Sequence, residues 1–344
     1  MKPPASLIER RALLGIAAGA ALAPALPVRA QNLAQDLAQN AAQTGLEVHP
    51  LWPDGAPGGE QVTVQEQVIL RTPGGDPNDT AYLHIRDPWL AIRRPARSNG
   101  AAILMIPGGG YQRVAVSKAG GAIDAGLADL GFTVFVMNYR LPADGWAAGP
   151  NVALQDAQRA IRMVRARAGE LGFDPARVAV AGFSAGGHVA GRLATAFDRD
   201  AYAPIDAIDR LPTRPDAAGL MFPVVTMMES YVHTVSARAL LGTAPSSAQR
   251  DAYSVERHVP SNAPPLFLAA AADDRVVSAE NSLVLWQACR AQNLPCELHL
   301  FEKGGHGLAN SVSAVRPPWM ELLNSFLTEA PLGRPDHYKR PGVV

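Results

Sequence analysis

The chain has 344 residues, of which 48% are hydrophobic and 18% are charged. This balance supports a large folded core and argues against a chain that is mostly disordered. Lys and Arg together number 31, as do Asp and Glu, and no run of basic residues stands out, so the sequence indicates no nucleic-acid partner.

The first 30 residues have the pattern of an export signal. Arg10 and Arg11 precede an Ala/Leu-rich segment, and small residues follow at positions 28–30, where a signal peptidase would cleave. The paired arginines favour the twin-arginine route. The apolar segment is short and interrupted by two prolines, so it predicts no stable membrane anchor. We therefore predict a signal peptide over residues 1–30, a flexible leader over 31–44 and a periplasmic or secreted protein.

From residue 45 to about 330, strand-like and helix-like segments alternate without a break in composition or an internal repeat. Several strand-like segments are apolar throughout, as expected for parallel strands covered on both faces. We predict an α/β fold in which a mostly parallel central sheet carries helices on both faces. It forms one domain over 45–330, followed by a C-terminal tail, 331–344. The predicted strands lie at residues 62–71, 90–94, 101–106, 132–139, 178–181, 219–225, 266–271 and 297–301.

A glycine-rich loop, Pro107-Gly108-Gly109-Gly110-Tyr111, directly follows the predicted strand 101–106. Glycines allow successive backbone amides to turn toward one point, which suits them to stabilise a developing oxyanion. A glycine-rich loop directly after a strand is the HGGG-type pattern, with Pro107 where a histidine is frequent. We predict that the amides of Gly109 and Gly110, with that of Ala185 further along the chain, form an oxyanion hole. Tyr111 is a candidate substrate contact.

The clearest helical pattern covers residues 151–171. Its apolar stripe consists of Leu154, Ala157, Ile161, Val164 and Ala168, and three arginines, Arg159, Arg162 and Arg165, lie off that stripe. The sequence therefore predicts an amphipathic helix whose apolar side packs on the sheet.

The segment 182–187, Gly-Phe-Ser-Ala-Gly-Gly, lies between an apolar strand-like run and a helix-forming stretch. A serine with a glycine two residues to either side, at a strand-to-helix turn, is the nucleophile-elbow pattern. The tight turn strains the serine backbone and lifts its Oγ above the sheet, at the N-terminus of the helix. We predict Ser184 as the nucleophile. His188, one turn into the helix, is interpreted as a packed or locally hydrogen-bonded residue.

Residues 225–262 contain no clear strand, although they lie between two predicted core strands. We expect short helices over the strand ends, where α/β sheets bind ligands. This segment would form a small cap-like insertion and part of the pocket wall. Within it, His233 is a candidate substrate contact.

A nucleophilic serine needs a general base and a group that orients that base. After the strand 266–271 come Asp273 and Asp274, and after the strand 297–301 comes Gly304-Gly305-His306-Gly307. The order Ser, then Asp, then His is that of α/β-hydrolases. We predict His306 as the base and Asp274 as its acid, with Asp273 as the alternative acid.

The chain contains two cysteines, Cys289 and Cys296. Export would place them where a disulfide can form, whereas free cysteine is also a common core residue. The sequence leaves both states open and gives neither cysteine a catalytic role.

Together these residues resemble the α/β-hydrolase superfamily and, more narrowly, the acetylxylan-esterase-like bacterial carbohydrate esterases. The shared motifs lie at residues 51–58, 107–111, 138–142, 156–160, 182–188, 274–277 and 304–307. The catalytic motifs are common to many esterases, whereas 51–58 and 182–188 are narrower.

This resemblance implies hydrolysis of short acyl esters, often acetate, on a small-molecule or oligosaccharide substrate, with no cofactor and no metal. It also implies that Tyr139, Arg140 and Asp156 form a structural cluster below the site. Trp146 and Tyr111 are candidates either to stack on a sugar or to belong to the core or the rim of the pocket. A serine peptidase or lipase-like enzyme on the same fold is the first alternative. A non-catalytic hydrolase-fold binding protein is the second, and the oligomeric state is open.

Overall fold

The computed structural model describes residues 46–117, 121–307 and 317–329. The predicted signal peptide, leader and C-terminal tail lie outside these ranges, so they stay predictions. The strands are β1 Glu47–Pro50, β2 Gln67–Leu70, β3 Thr80–Leu83, β4 Trp89–Arg93, β5 Ala102–Ile106, β6 Thr133–Met137, β7 Val178–Phe183, β8 Ala217–Met221, β9 Leu266–Ala271 and β10 Cys296–Phe301.

The α-helices pack around these strands. They are α1 Ala122–Asp129, α2 Val152–Ala166, α3 Ala168–Leu171, α4 Ala185–Thr195, α5 Thr234–Leu241, α6 Ser247–Ala252, α7 Glu280–Ala291 and α8 Pro318–Glu329. Short 3-10 turns lie at Pro142–Asp144, Gly149–Asn151, Ala207–Arg210 and Val255–His258.

Eight of the strands form one sheet in the order β1-β4-β6-β5-β7-β8-β9-β10. β4 pairs antiparallel with β1 and with β6, and all later neighbours pair parallel. The mostly parallel sheet is therefore confirmed. Parallel strands leave all their carboxyl ends at one edge, and the loops after β5, β7, β9 and β10 carry the predicted site residues to that edge.

Helices cover both faces of the sheet. On β8, Leu220 contacts the Cβ position of Gly191 in α4, whereas a Cβ on Gly219 would lie 2.7 Å from Leu323 of α8. Adjacent residues of a strand point to opposite faces, so α4 and α8 lie on opposite sides. This confirms the predicted three-layer arrangement.

The predicted strand positions were wrong in detail near the start of the fold and at β8. Of the predicted strand 62–71 only β2 forms, and it pairs with β3 in a separate two-stranded sheet. β1 and β3 were not predicted, since each is only four residues long and lacks a distinct apolar alternation. β8 ends at Met221, because Pro223 has no amide hydrogen to continue the ladder.

The predicted helix over 151–171 is present as α2 and α3, and its apolar stripe is buried as expected. The arginines lie off that stripe, as predicted, but two of them are buried as well. Arg159 and Arg165 are buried, because the chain after α4 covers them with carboxylates. Arg159 bonds Asp206 and Asp209 at 2.6 and 3.0 Å. The helix therefore packs on two sides.

A buried cluster anchors the N-terminal segment below the predicted oxyanion loop. Arg140 and Asp156 are fully buried and form an ion pair of 2.7 Å, and Trp52 Nε1 donates to the same carboxylate at 2.7 Å. The Arg140 guanidinium also lies 4.6 Å from the ring centre of Trp146. Tyr139 donates its hydroxyl to the carbonyl of the first loop residue, at 2.9 Å. These contacts agree with the structural interpretation of the cluster.

The two cysteines are free in this structure. Cys289 is buried in the last turn of α7, Cys296 begins β10, and their thiols are within hydrogen-bonding contact. Burial and this contact raise the pKa of the Cys296 thiol. Within the described ranges, every helix is too short or too polar to cross a bilayer.

Candidate active site

Ser184 stands at the turn between β7 and α4 with φ 54° and ψ −120°, a strained backbone for a residue with a side chain. A Cβ on Gly182 would lie 2.5 Å from Gly186 O, and one on Gly186 would lie 2.2 Å from Ile106 O. Only glycine tolerates such approaches. The two glycines therefore permit the close packing of β5, β7 and α4 on which the elbow depends.

The structure brings the three predicted catalytic residues together. His306 Nε2 lies 3.0 Å from Ser184 Oγ, and His306 Nδ1 lies 2.8 Å from Asp274 Oδ2. The other carboxylate oxygen of Asp274 accepts hydrogen bonds from the amides of Val276 and Val277, at 2.8 and 3.0 Å. Because the carboxylate accepts from Nδ1–H, Nε2 carries the lone pair that can take a proton from the serine.

The acid of this set is Asp274, and its neighbour has a different contact. Asp273 Oδ1 accepts a hydrogen bond of 2.8 Å from the amide of Gly305, in the loop that carries His306. Burial alone would raise the pKa of Asp274, but the hydrogen bonds from His306 and two backbone amides lower it below its ordinary value. Asp274 is therefore ionised at neutral pH, as the partner of a base must be.

The peptides of the glycine loop are held by their carbonyl groups. Gly108 O accepts from Ala115 N at 2.9 Å, and Gly109 O accepts from Arg113 N at 3.2 Å. In a trans peptide the N–H points opposite to the C=O. These two bonds therefore orient the amides of Gly109 and Gly110 away from the loop interior, and they do so before any ligand binds.

Ala185 is the first residue of α4, so its amide has no helical acceptor. Among the described residues, no carbonyl accepts a hydrogen bond from the amides of Gly109, Gly110 or Ala185. These three groups are thus available to a ligand oxygen near Ser184. Their role as an oxyanion hole stays a prediction.

We expect Gly109→Ala to lower kcat by roughly 10²–10³ while KM changes little, because the loss is that of an oxyanion donor. Gly109 has φ 142°, and an added Cβ would lie 2.0 Å from Arg113 O, so the peptide must move. Gly110→Ala is the matched control. At Gly110, φ is 68° and the nearest atom is a side-chain carbon of Val235 at 3.5 Å, so its loss should be much smaller. Steady-state kinetics on a nitrophenyl ester compares the two variants. Equal losses of kcat in Gly109→Ala and Gly110→Ala would contradict this account of the loop.

Tyr111 is buried, and its hydroxyl lies 2.7 Å from His188 Nδ1. His188 Nε2 lies 2.7 Å from the carbonyl oxygen of Tyr253. A carbonyl only accepts, so Nε2 carries the proton and Tyr111 must donate to Nδ1. Any substrate contact of Tyr111 therefore involves its ring or its hydroxyl lone pairs. No motif in the sequence indicated that His188 joins the glycine loop to the pocket wall.

Burial, with the nearby Arg192, lowers the pKa of His188 from 6.5 to about 3. The unfolded chain therefore binds one more proton than the folded protein between these values, and stability falls as pH decreases through that window. We expect the free energy of unfolding to drop by ~1.4 kcal/mol per pH unit near pH 5 from this residue alone. His188→Gln should be less stable at neutral pH but lack this part of the slope. Urea unfolding at several pH values measures the free energy of unfolding of both proteins. Equal slopes of this free energy against pH in the wild-type chain and in His188→Gln would contradict the assignment.

His233 directly precedes α5, and its Nδ1 lies 2.8 Å from Ser236 Oγ. Burial and the nearby charge of His306 lower the pKa of His233. His233 is therefore neutral at neutral pH. Trp146, by contrast, is buried and packed between Arg140 and Gly59, which leaves its ring little surface for a sugar.

A hydroxyl hydrogen-bonded to a carboxylate-oriented imidazole, beside a group of free amides, can carry out acyl transfer. The described residues contain no group of three or more His, Cys, Asp or Glu side chains placed to hold a metal ion.

Comparison with known proteins gives consistent matches. The family model BD-FAE matches residues 90–289. Endo-1,4-beta-xylanase B of Butyrivibrio fibrisolvens is 34% identical over 67% of this chain and 34% of its own length. The acetylxylan esterase of Xylanibacter ruminicola is 30% identical over 62% of this chain and 42% of its own length. The chain therefore spans less than half the length of each of these two relatives.

A solved structure covers more of the chain. The acetyl ester-xyloside bifunctional hydrolase from Caldicellulosiruptor lactoaceticus is 30% identical, with a TM-score of 0.64 over 83% of this chain and 97% of that one. An esterase from Thermogutta terrifontis aligns with a TM-score of 0.58 at 25% identity, over 76% of this chain and 96% of that one. The α/β-hydrolase fold predicted from the sequence is therefore confirmed.

Proposed function

The chain belongs to the BD-FAE family, and from this premise we propose that it is a serine carboxylesterase that removes short acyl groups, acetate foremost, from carbohydrate esters. One observation carries the chemistry: Ser184 Oγ and Asp274 Oδ2 lie 3.0 and 2.8 Å from the two nitrogens of the same imidazole, that of His306. A hydroxyl in this arrangement is an activated nucleophile.

The proposed reaction has two halves. His306 Nε2 takes the Ser184 proton as Oγ bonds to the ester carbonyl carbon, and the amides of Gly109, Gly110 and Ala185 stabilise the oxyanion. When the intermediate collapses, the alcohol leaves with the proton from His306. Water then gives a proton to the same nitrogen, attacks the acyl-enzyme and releases the acid, which restores the serine.

The carbohydrate part of the proposal rests on the relatives. Two of them are named for xylan or its acetyl esters, and the bifunctional hydrolase for acetyl esters and xylosides. The BD-FAE match over residues 90–289 contains the elbow and the acid loop of this chain.

Export of the protein belongs to the same proposal. It is supported by Arg10 and Arg11 and by the small residues at 28–30. Mass spectrometry of the protein from a periplasmic fraction should show a mature N-terminus near residue 31. A full-length chain recovered only from the cytoplasm would overturn this part.

The function is tested by acetate release from acetylated xylo-oligosaccharides, measured beside nitrophenyl acetate, nitrophenyl butyrate, a long-chain ester and an aminoacyl substrate. Serine-dependent acetate release supports the proposal. Preference for the long-chain or aminoacyl substrate would favour the lipase or peptidase alternative. Failure of Ser184 to react with a fluorophosphonate probe would identify a non-catalytic binding protein.

A further inference from the structure

The turn that follows β8 holds the nucleophile through its backbone. Ser184 N donates a hydrogen bond of 3.1 Å to the carbonyl oxygen of Met221, the last residue of β8, and Ser184 O accepts one of 3.0 Å from Val224 N. Phe222 and Pro223 lie between these two partners in the chain. The strained backbone of Ser184 is therefore fixed, by its own amide and carbonyl, to the turn from Met221 to Val224.

This turn is itself strained and held in place. Phe222 has φ 39°, a value that a bulky side chain adopts only where the surrounding structure imposes it. Its amide donates to the carbonyl oxygen of Ala269 in β9 at 2.6 Å. Pro223 packs against α4, where a Cβ on Gly187 would lie 2.7 Å from the Cβ of the proline. Contacts to β9 and α4 thus keep the turn in a conformation that its residues do not favour by themselves.

The ring of Phe222 contacts the catalytic base. Its centre lies 4.9 Å from that of the His306 imidazole, with the two planes at 69°, an edge-to-face arrangement. The same ring lies 6.1 Å from that of Phe183, which in turn lies 5.7 Å from the ring of Trp319 in α8. Phe222 is buried, with 8% of its surface exposed. The imidazole therefore packs on a ring that is anchored in the core.

His306 receives little support from its own loop. The residues on either side of it, Gly305 and Gly307, have φ 56° and 114°, and glycine leaves the backbone free to move. The imidazole is hydrogen-bonded to Asp274 through Nδ1 and to Ser184 through Nε2, at 2.8 and 3.0 Å. These bonds resist a shift of either nitrogen, but they resist a tilt of the ring about the line between the nitrogens only weakly. A packed aromatic neighbour can block that tilt.

We propose that Phe222 is a positioning residue: its ring holds the His306 imidazole at the tilt that aligns Nε2 with Ser184 Oγ. This inference rests on the proposed function. One turn then supports both partners of the proton transfer, since its backbone binds the nucleophile and its side chain packs on the base. The strain at Phe222 has a use under this assignment, because it directs a ring from the end of β8 onto the loop that follows β10.

Phe222→Leu tests the role of the ring. Leucine keeps an apolar side chain on the same backbone but lacks a flat ring beside the imidazole. We expect kcat for nitrophenyl acetate to fall by roughly tenfold to a hundredfold with KM within about twofold, because misplacing a reacting group by ~1 Å can cost a factor of about 10². Phe222→Tyr keeps the ring and should restore most of kcat.

Phe173→Leu is the matched control, because it makes the same change in a buried ring at the other edge of the sheet. Phe173 is 6% exposed, and its ring lies 6.0 Å from that of Phe135 in β6. It precedes β7 and therefore lies at the amino ends of the parallel strands, away from Ser184. It should lower the thermal unfolding midpoint about as much as Phe222→Leu does, since both remove similar apolar volume, and leave kcat unchanged.

Three kinetic results would overturn the proposal. They are wild-type kcat in Phe222→Leu, a loss of kcat in Phe173→Leu as large as that in Phe222→Leu, and equal losses in Phe222→Leu and Phe222→Tyr. The first would show that the ring is dispensable. The second would show that kcat follows stability, and the third that the aromatic ring is not what matters.

The proton NMR resonance of His306 Nδ1–H, in its hydrogen bond to Asp274, is a readout independent of turnover. The signal should be present in the wild-type chain, Phe222→Tyr and Phe173→Leu, and should broaden or vanish in Phe222→Leu as the imidazole gains freedom. An unchanged signal in Phe222→Leu would contradict the assignment. A wild-type chain that hydrolyses no ester would refute the proposed function, and the signal in the two leucine variants would still decide whether Phe222 holds the imidazole.

Discussion

Ser184→Ala should lower kcat for ester hydrolysis by roughly 10⁶, because it removes the atom that forms the acyl-enzyme. The residual rate would come from the oxyanion amides and substrate binding alone. Burst-phase kinetics with nitrophenyl acetate measures the effect, since the wild-type chain should release a stoichiometric burst and the variant none. Alanine keeps the Cβ that the φ of 54° already accommodates, so the elbow should remain intact.

Two controls separate chemistry from folding in this variant. Its thermal unfolding midpoint should stay close to that of the wild-type chain, and a fluorophosphonate probe should label only the wild-type serine. Turnover at the wild-type rate in a folded Ser184→Ala protein would contradict the assignment of the nucleophile. It would also contradict the acyl-enzyme route.

Asp274→Asn should lower kcat by roughly 10⁴ with a small change in KM. The carboxylate now accepts from Nδ1–H of His306 at 2.8 Å. An asparagine amide donates instead, so it favours the tautomer with the proton on Nε2. That nitrogen lies 3.0 Å from Ser184 Oγ and could then no longer accept the serine proton.

Asp273→Asn is the matched control, because it changes the same charge one residue away. Asp273 Oδ1 accepts from the amide of Gly305, and an asparagine carbonyl can accept the same bond. We expect its kcat to fall by less than about tenfold, the worth of one neutralised hydrogen bond. The pH dependence of kcat, measured for Asp273→Asn and Asp274→Asn, provides a second comparison of the two variants. A larger loss in Asp273→Asn than in Asp274→Asn would exchange the roles of the two aspartates.

The elbow and the glycine loop were predictable because their signals are local. Gly182, Ser184 and Gly186 are constrained by one tight turn, and the apolar strands before each loop are visible in the sequence alone. The order of serine, acid and histidine also survives in the linear chain. Consequently the sequence was enough to predict the parallel strands and the loops that follow them. It was also enough to predict which residues meet at the carboxyl ends of those strands.

Contacts between distant segments could not be read in this way. Asp273 and Asp274 follow the same strand, and only the turn after β9 decides which carboxylate meets an imidazole 32 residues away. The apolar stripe of α2 gave no indication that the chain after α4 returns to cover Arg159 with Asp206 and Asp209. Hydrophobic periodicity records one buried side of a helix and says nothing about which charged partner arrives later.

The fold class and the types of residue available for acyl transfer followed from local sequence patterns, because backbone strain and strand burial restrict residue choice locally. The pairing of His84 with Asp144 across 60 residues, and the burial of the second carboxylate oxygen of Asp144, depend instead on how distant segments pack. Neither residue lies in a motif. The properties of the buried Asp144 carboxyl depend on desolvation, and desolvation exists only once the chain has packed around it.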